Sequence, residues 1–442
     1  MIVNEPDLRI RLDRMPVSRL HVAVLALCSI AFGFDLLEIA LGSVLSAVFS
    51  TPASGAPAML RWLLASAYIG AIVGAPLFGK LADRRGRTTA LQWASLLLAL
   101  TSVAEALSPD LRWLTAWRML SGLALGAYPP LVVSYLTELL PARLRGSLIL
   151  LVSGIACLGA PAGIFLARGL TPLHPLGLDG WRWAFLIGAS GAAVCAACFR
   201  LLPESPIWLG QRRGLSAAVE QCRRLEVSRA LTARSDVRTP QDAGTQASAV
   251  PAQRPRLRHV IMPLFALSFL NPWATVAFPL LSGALLVQKG IGLQNSLLFV
   301  GVSMFGPALS AAASFFVDRL PRRATLAACL VTMGFAAAVF FGSDAPPVLM
   351  AAGGIFLFCA AFSVPVMNLY GAELLSTTSR GTLMSVAWTF NRAGAVTAPL
   401  LLVPILHQRG GATVLDVIVG TLVASMLLLA TAPAGRLRLP AE

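Results

Sequence analysis

The sequence predicts an all-α membrane protein: about twelve transmembrane helices in two six-helix bundles, with both termini cytoplasmic. Three observations carry that expectation. The first is composition. With 57% hydrophobic and 12% charged residues over 442 positions, and a mean hydropathy of +0.75, the chain holds more apolar surface than a water-soluble globule can bury. The second is the length of the apolar runs. In hydrocarbon every backbone polar group needs an internal partner, so a span takes roughly 20 apolar residues in a helix. Windows of that kind fall near 20–49, 60–82, 89–107, 113–137, 146–169 and 182–202, then near 259–287, 293–316, 323–342, 347–371, 381–406 and 412–433. The third is a duplication. The basic clip GKLADRRGR (Gly79 to Arg87) returns inside SFFVDRLPRR, so that Asp83, Arg84 and Arg87 map onto Asp318, Arg319 and Arg322 at an offset of 235. The same offset carries Glu138, Arg145 and Gly146 of ELLPARLRGS onto Glu373, Arg380 and Gly381 of ELLSTTSRGT.

Taken in order, residues 1–19 read as a basic cytoplasmic tail, 20–202 as the first bundle, 203–258 as a cytoplasmic linker, 259–433 as the second bundle and 434–442 as a cytoplasmic tail. The first span holds Asp35 and Glu38, three apart on one helical face near mid-membrane, where an ionised carboxylate needs water, a cation or a proton. That makes the pair the candidate proton-accepting site. Glu105, near the outer end of the third span, reads as interfacial. Arg118 opens WRMLSG a few residues into the fourth span; it either snorkels outward or pairs with a buried acid, and it is a candidate for substrate contact. Gly122, Gly126, Pro129 and Pro130 bend the same helix, and Gly154, Gly159, Pro161 and Gly163 give the fifth span a close-packing, kinked surface.

Within the linker, 211–238 is rich in arginine and reads as amphipathic helix on the membrane surface, whereas 239–256 has linker composition. Span seven carries SFLNPWATVAFP, where Asn271, Pro272 and Trp273 interrupt the helix and make Asn271 and Trp273 cavity-lining candidates. Span ten offers Asn368 and Tyr370. Span eleven holds Asn391 and Arg392 about 12 residues from its inner end, hence roughly 18 Å into a core about 30 Å thick. An arginine there needs a carboxylate from the protein or from a ligand.

The duplication separates two kinds of charge. Asp83, Arg84, Arg87, Glu138 and Arg145 repeat as Asp318, Arg319, Arg322, Glu373 and Arg380, so they belong to a scaffold and gating apparatus common to both halves. Asp35, Glu38, Arg118 and Arg392 have no such echo. Unrepeated charge on a repeated frame is what a specific binding site requires.

The net charge of +15 does not point to nucleic acid, because most of the Lys and Arg gather on the loops assigned to the cytoplasm, as the positive-inside rule requires. The seven cysteines (Cys28, Cys157, Cys195, Cys198, Cys222, Cys329, Cys359) lie mostly in spans and read as small hydrophobes. The histidines (His21, His174, His259, His407) are scattered at span ends and no catalytic motif groups them, so neither an enzyme nor a metal or cofactor site is expected. A sensor would need a folded cytoplasmic domain, and 203–257 is too short and polar to be one.

These residues resemble the major facilitator superfamily of secondary transporters. GKLADRRGR is similar to its loop motif between spans two and three and SFFVDRLPRR to the weaker copy between spans eight and nine; WRMLSG resembles the fourth-span arginine motif, ELLPARLRG and ELLSTTSRG the paired motifs after spans four and ten, and PESPIWL the motif after span six with Ile207 in place of arginine. GFDLLEIALG resembles the first-span motif of aromatic-acid and related metabolite:proton symporters, with Asp35 as its second aspartate and Phe32 where the first would stand. The resemblance implies alternating access by two rocking bundles, a proton carried by Asp35, and Arg392 facing a small organic anion. A drug or metabolite exporter and a sugar porter are the alternatives, although the sugar porters' polar span-seven signature and closing PETKG are not found. It also implies that Asp83 caps span eleven near Arg380 and Asp318 the stretch near Arg145, contacts that break for inward opening. The expected partners are a small-molecule substrate, protons and lipid, with the chain a monomer in a bacterial inner membrane.

Overall fold

A computed structural model of the protein describes residues 5–50, 57–227, 257–313, 320–375 and 380–432. Asp318, Arg319 and residues 228–256 lie outside the described residues, as does the side chain of Arg380. The membrane helices are α1 (Arg19–Phe49), α2 (Pro57–Arg85), α3 (Arg87–Ala106), α4 (Leu111–Leu139), α5 (Ala142–Leu170), α6 (Gly180–Phe199), α7 (Leu257–Thr275, continued by Ala277–Gln288), α8 (Leu293–Ala313), α9 (Arg322–Gly342) and α10 (Pro346–Leu374). A final stretch, Arg380–Thr431, is broken at Gly410, whose φ of 81° no helix interior adopts, into α11 (380–409) and α12 (411–431). Among the described residues, ten segments are long and apolar enough to cross a membrane. The 20-residue α3 and the second limb of the broken stretch complete the expected number.

Three helices are broken, and each break has a proline within four residues beyond it. Proline has no N–H to give the carbonyl one turn earlier and its ring crowds that carbonyl. Pro161 thus accounts for the break at Cys157–Leu158 in α5, Pro279 for that at Val276 in α7, and Pro307 for that at Met304–Phe305 in α8. The sequence expectation of a break at Asn271–Pro272 is corrected here: that proline lies inside continuous helix, and the carbonyl it frees, Ser268 O, accepts from Asn391 Nδ2 at 3.3 Å.

Packing within the first half depends on small residues. A side chain at Gly70 or Gly74 of α2 would collide with the backbone of Met119 or Leu123, and one at Gly122 or Gly126 of α4 with that of Ala67 or Ala71. The two helices therefore touch backbone to backbone, as small-residue faces allow in a membrane.

The face that carries Asp83 and Arg87, the clip face, holds three further short helices. Glu5–Asp13 buries Leu8 and Leu12 in a cluster with Ala218, Cys222 and Leu225 of Leu215–Val227, and Pro206–Arg213 lies beside them. On the opposite face the halves meet closely. Gly283 of α7 sits against Ser43 and Ala47 of α1, and Arg168 Nε donates to Gln294 O at 3.1 Å while Gln294 Nε2 donates to Arg168 O at 3.2 Å.

Candidate functional site

Two arginines lie deep in the protein, and the fold treats them oppositely. Arg118 of α4 is 2% exposed. Its Nη1 donates to Glu38 Oε1 of α1 at 3.1 Å and to Glu105 Oε2 of α3 at 3.0 Å, and its Nη2 donates to the Glu38 backbone O at 2.8 Å. Gly42, one turn beyond Glu38, leaves the space through which Nη2 reaches that carbonyl. Ser102 Oγ donates to Glu38 Oε2 at 2.9 Å, and the Phe185 ring of α6 lies 5.5 Å from the guanidinium carbon. Three sequence expectations change. Glu105 stands in the last turn of α3 but is fully buried, because its carboxylate turns inward onto Arg118. Glu38, expected as part of the proton-accepting pair, is ion-paired with Arg118. Arg118 touches a small cavity, yet its hydrogen bonds go to protein groups and leave little for a ligand.

Arg392 of α11 makes no hydrogen bond or ion pair among the described residues; its guanidinium lies 4.8 Å from the Trp388 ring one turn earlier. It lines two adjoining cavities. The larger, about 350 Å³, is walled by the broken segments of α5, α7 and α8 together with α1, α2, α10 and α11, and it carries polar groups at Ser43, Tyr68, Ser268, Asn271, Thr275, Asn368, Asn391 and Arg392 on a mostly apolar lining. Leu264 and Met384, near the clip-face ends of α7 and α11, belong to its wall, so it extends toward the clip face and away from the packed opposite face. The smaller, about 180 Å³, shares Tyr68 with it and adds Asp35 and Arg118. Asp35 is completely buried, and neither carboxylate oxygen has a hydrogen-bond partner among the described residues. The cation that faces it is Arg392, short of direct contact. Tyr68, which lines both cavities, faces both guanidiniums. Asn271 and Asn391 lie on the wall as expected positions, whereas Trp273 does not: it packs on Phe269, ring centroids 6.4 Å apart, against the core.

The clip shows the duplication in three dimensions. Arg87 Nη2 meets Glu138 Oε1 at 3.0 Å, and its repeat Arg322 Nε meets Glu373 Oε1 at 3.2 Å. Arg87 also binds Asp83 at 2.6 Å; Asp83 is exposed and has no hydrogen bond to α11 among the described residues, and Arg84 is exposed. Arg145 pairs with Asp13 at 3.0 Å, a partner from the N-terminal helix that the repeat could not foretell. Sequence reading also passed over Glu204. Its carboxylate accepts from Arg87 N at 2.8 Å, from Thr88 N and from Thr88 Oγ1, capping α3. Gly86, at φ 107°, leaves the room this cap occupies. The fixed spacing of PESPIWL was the available signal. Glu105 could have been found by charge balance, since Arg118 at its depth needed an acid on a neighbouring span.

The profile of the sugar (and other) transporter family matches residues 21–432. The niacin transporter NiaP of Acinetobacter baylyi is 26% identical over 92% of this chain and 92% of its own length. The putative metabolite transport protein YyaJ of Bacillus subtilis is 27% identical over 95% of this chain and 93% of its own. Among solved structures, the xylose transporter XylE of Escherichia coli, in a partially occluded inward-open conformation, superposes with a TM-score of 0.71 at 18% identity, covering 92% of this chain and 97% of that one.

Proposed function

The chain belongs to the sugar (and other) transporter family of the major facilitator superfamily, and on that premise we propose that it is a proton-coupled importer of a small aromatic monocarboxylate. It is a multi-pass membrane transporter and not an enzyme. The observation that carries the substrate class is Arg392: a half-buried, always-charged guanidinium with no protein anion in contact among the described residues, opening into a cavity beside an aromatic ring. A carboxylate supplies the missing charge, Trp388 and the apolar wall take a flat ring, and Asn271, Asn368 and Asn391 bond its polar edge. The apolar lining suits a ring better than a sugar, whose hydroxyls each need a polar partner when buried. The similarity to a niacin transporter, whose named cargo is a pyridine carboxylate, supports the same choice.

Asp35 supplies the proton coupling. Ionised, it and Arg392 neutralise each other across the interface of the bundles 20–202 and 259–433; once a substrate carboxylate occupies Arg392, the same site carries one negative charge too many. Protonation of Asp35 removes it and allows occlusion. With both termini and the clip face in the cytoplasm of an inner membrane, the cavity belongs to the inward-facing state, and Asp83 meets the start of α11 only when that side closes. The expected outcome is that reconstituted Asp35→Asn protein exchanges nicotinate across the membrane but no longer accumulates it on a pH gradient. Undiminished accumulation contradicts the coupling role.

A further inference from the structure

The charge around Arg118 does not balance. Two carboxylates, Glu38 and Glu105, share one nitrogen of one guanidinium, and all three side chains are nearly or wholly sealed, at 1%, 0% and 3% exposure respectively. Among the described residues the surroundings offer no second cation to the group. From its own helix, α1 presents Asp35, which faces Arg392 instead. From α2 come Tyr68 and, two turns nearer the opposite face, Arg61, whose guanidinium lies by Trp62. From α3 comes the Ser102 hydroxyl, and from α7 the aliphatic Leu280. From α6 come Phe185, Trp181 and Arg182, and Arg182 is occupied by the carbonyls of Ala106 and Ser108, at 2.7 and 2.8 Å, near Asp179. One oxygen, Glu105 Oε1, is buried and has no hydrogen-bond partner among the described residues.

We propose that Glu38 and Glu105 form a proton-binding site distinct from the coupling carboxylate, holding one resident proton between them. Two carboxylates this close, sharing a single cation in a low-dielectric interior, cannot both stay ionised without leaving net charge buried. One proton makes the triad neutral, gives the orphaned Glu105 oxygen a hydrogen-bonding role, and belongs to the pair and not to either residue. The proton stays through the transport cycle, because the triad is built wholly inside the first bundle and no rocking of the second one separates its members. Asp35 then remains the carboxylate free to load and unload. This holds whichever substrate the cavity takes.

The test is infrared spectroscopy on purified protein without substrate, in the Asp35→Asn background so that the coupling site contributes no signal. At neutral pH the carbonyl stretch of a protonated, buried carboxylic acid is expected, shifted in heavy water and unmoved when the medium is made mildly alkaline. Adding Glu105→Gln removes the band, since the remaining Glu38 then pairs one-to-one with Arg118; Glu38→Gln does the same and serves where the first variant folds poorly. Absence of the band in the Asp35→Asn protein, or its persistence in both glutamine variants, overturns the proposal.

Discussion

Arg118 and Arg392 are the same residue type in the same membrane interior, and the difference between them separates structure from function. Arg118 is held by three oxygen atoms from two helices and packs under an aromatic ring. Arg392 is held by none among the described residues and lies beside an orphaned aspartate and an apolar cavity. A buried cation whose hydrogen bonds all end in the protein fixes helices. One left open is a place for something that arrives.

Substitutions sharpen that contrast. Arg118→Leu has the largest expected effect: it strands two buried carboxylates and lowers stability by about 3–5 kcal/mol, read as a fall in the thermal unfolding midpoint in detergent. Gly86→Ala comes next. It forces a side chain at φ 107° into the Glu204 cap, and roughly 1–3 kcal/mol is expected for such strain, measured in the same assay. Arg392→Gln has the smallest effect on stability. It removes a desolvated charge that no protein anion touches, so the midpoint stays or rises; a loss as large as that of Arg118→Leu breaks the comparison.

The scaffold was legible in the sequence because its causes are local and repeated. Apolar run length marks the spans, and the 235-residue offset anticipates both Arg87–Glu138 and Arg322–Glu373. Proline positions alone do not place the helix breaks: the carbonyl one turn before Pro279 lies at the break beside Val276, whereas the one before Pro272, Ser268 O, is taken by Asn391 and the helix runs on. The site was legible only in its composition. Asp35, Glu38, Arg118 and Arg392 stand out as charges in apolar runs, but who pairs with whom depends on how α1, α3, α4 and α11 are rotated about their axes, and no spacing within one helix encodes that. Glu38 and Asp35 share a face three residues apart and still part company, one to Arg118 and the other toward Arg392. Asp13 finding Arg145 is a further case: its partner lies on a helix outside the repeat.

The central claim, that Arg392 receives the carboxylate of an aromatic acid, is tested most directly by ligand-induced thermal stabilisation, since a ligand that binds the folded state raises its apparent stability. Nicotinate, nicotinamide and xylose are each added to purified wild-type and Arg392→Gln protein. The expected result is that nicotinate raises the wild-type midpoint, that its uncharged amide and the sugar do not, and that Arg392→Gln responds to none. An equal response to nicotinamide or xylose, or an undiminished response of Arg392→Gln to nicotinate, contradicts it.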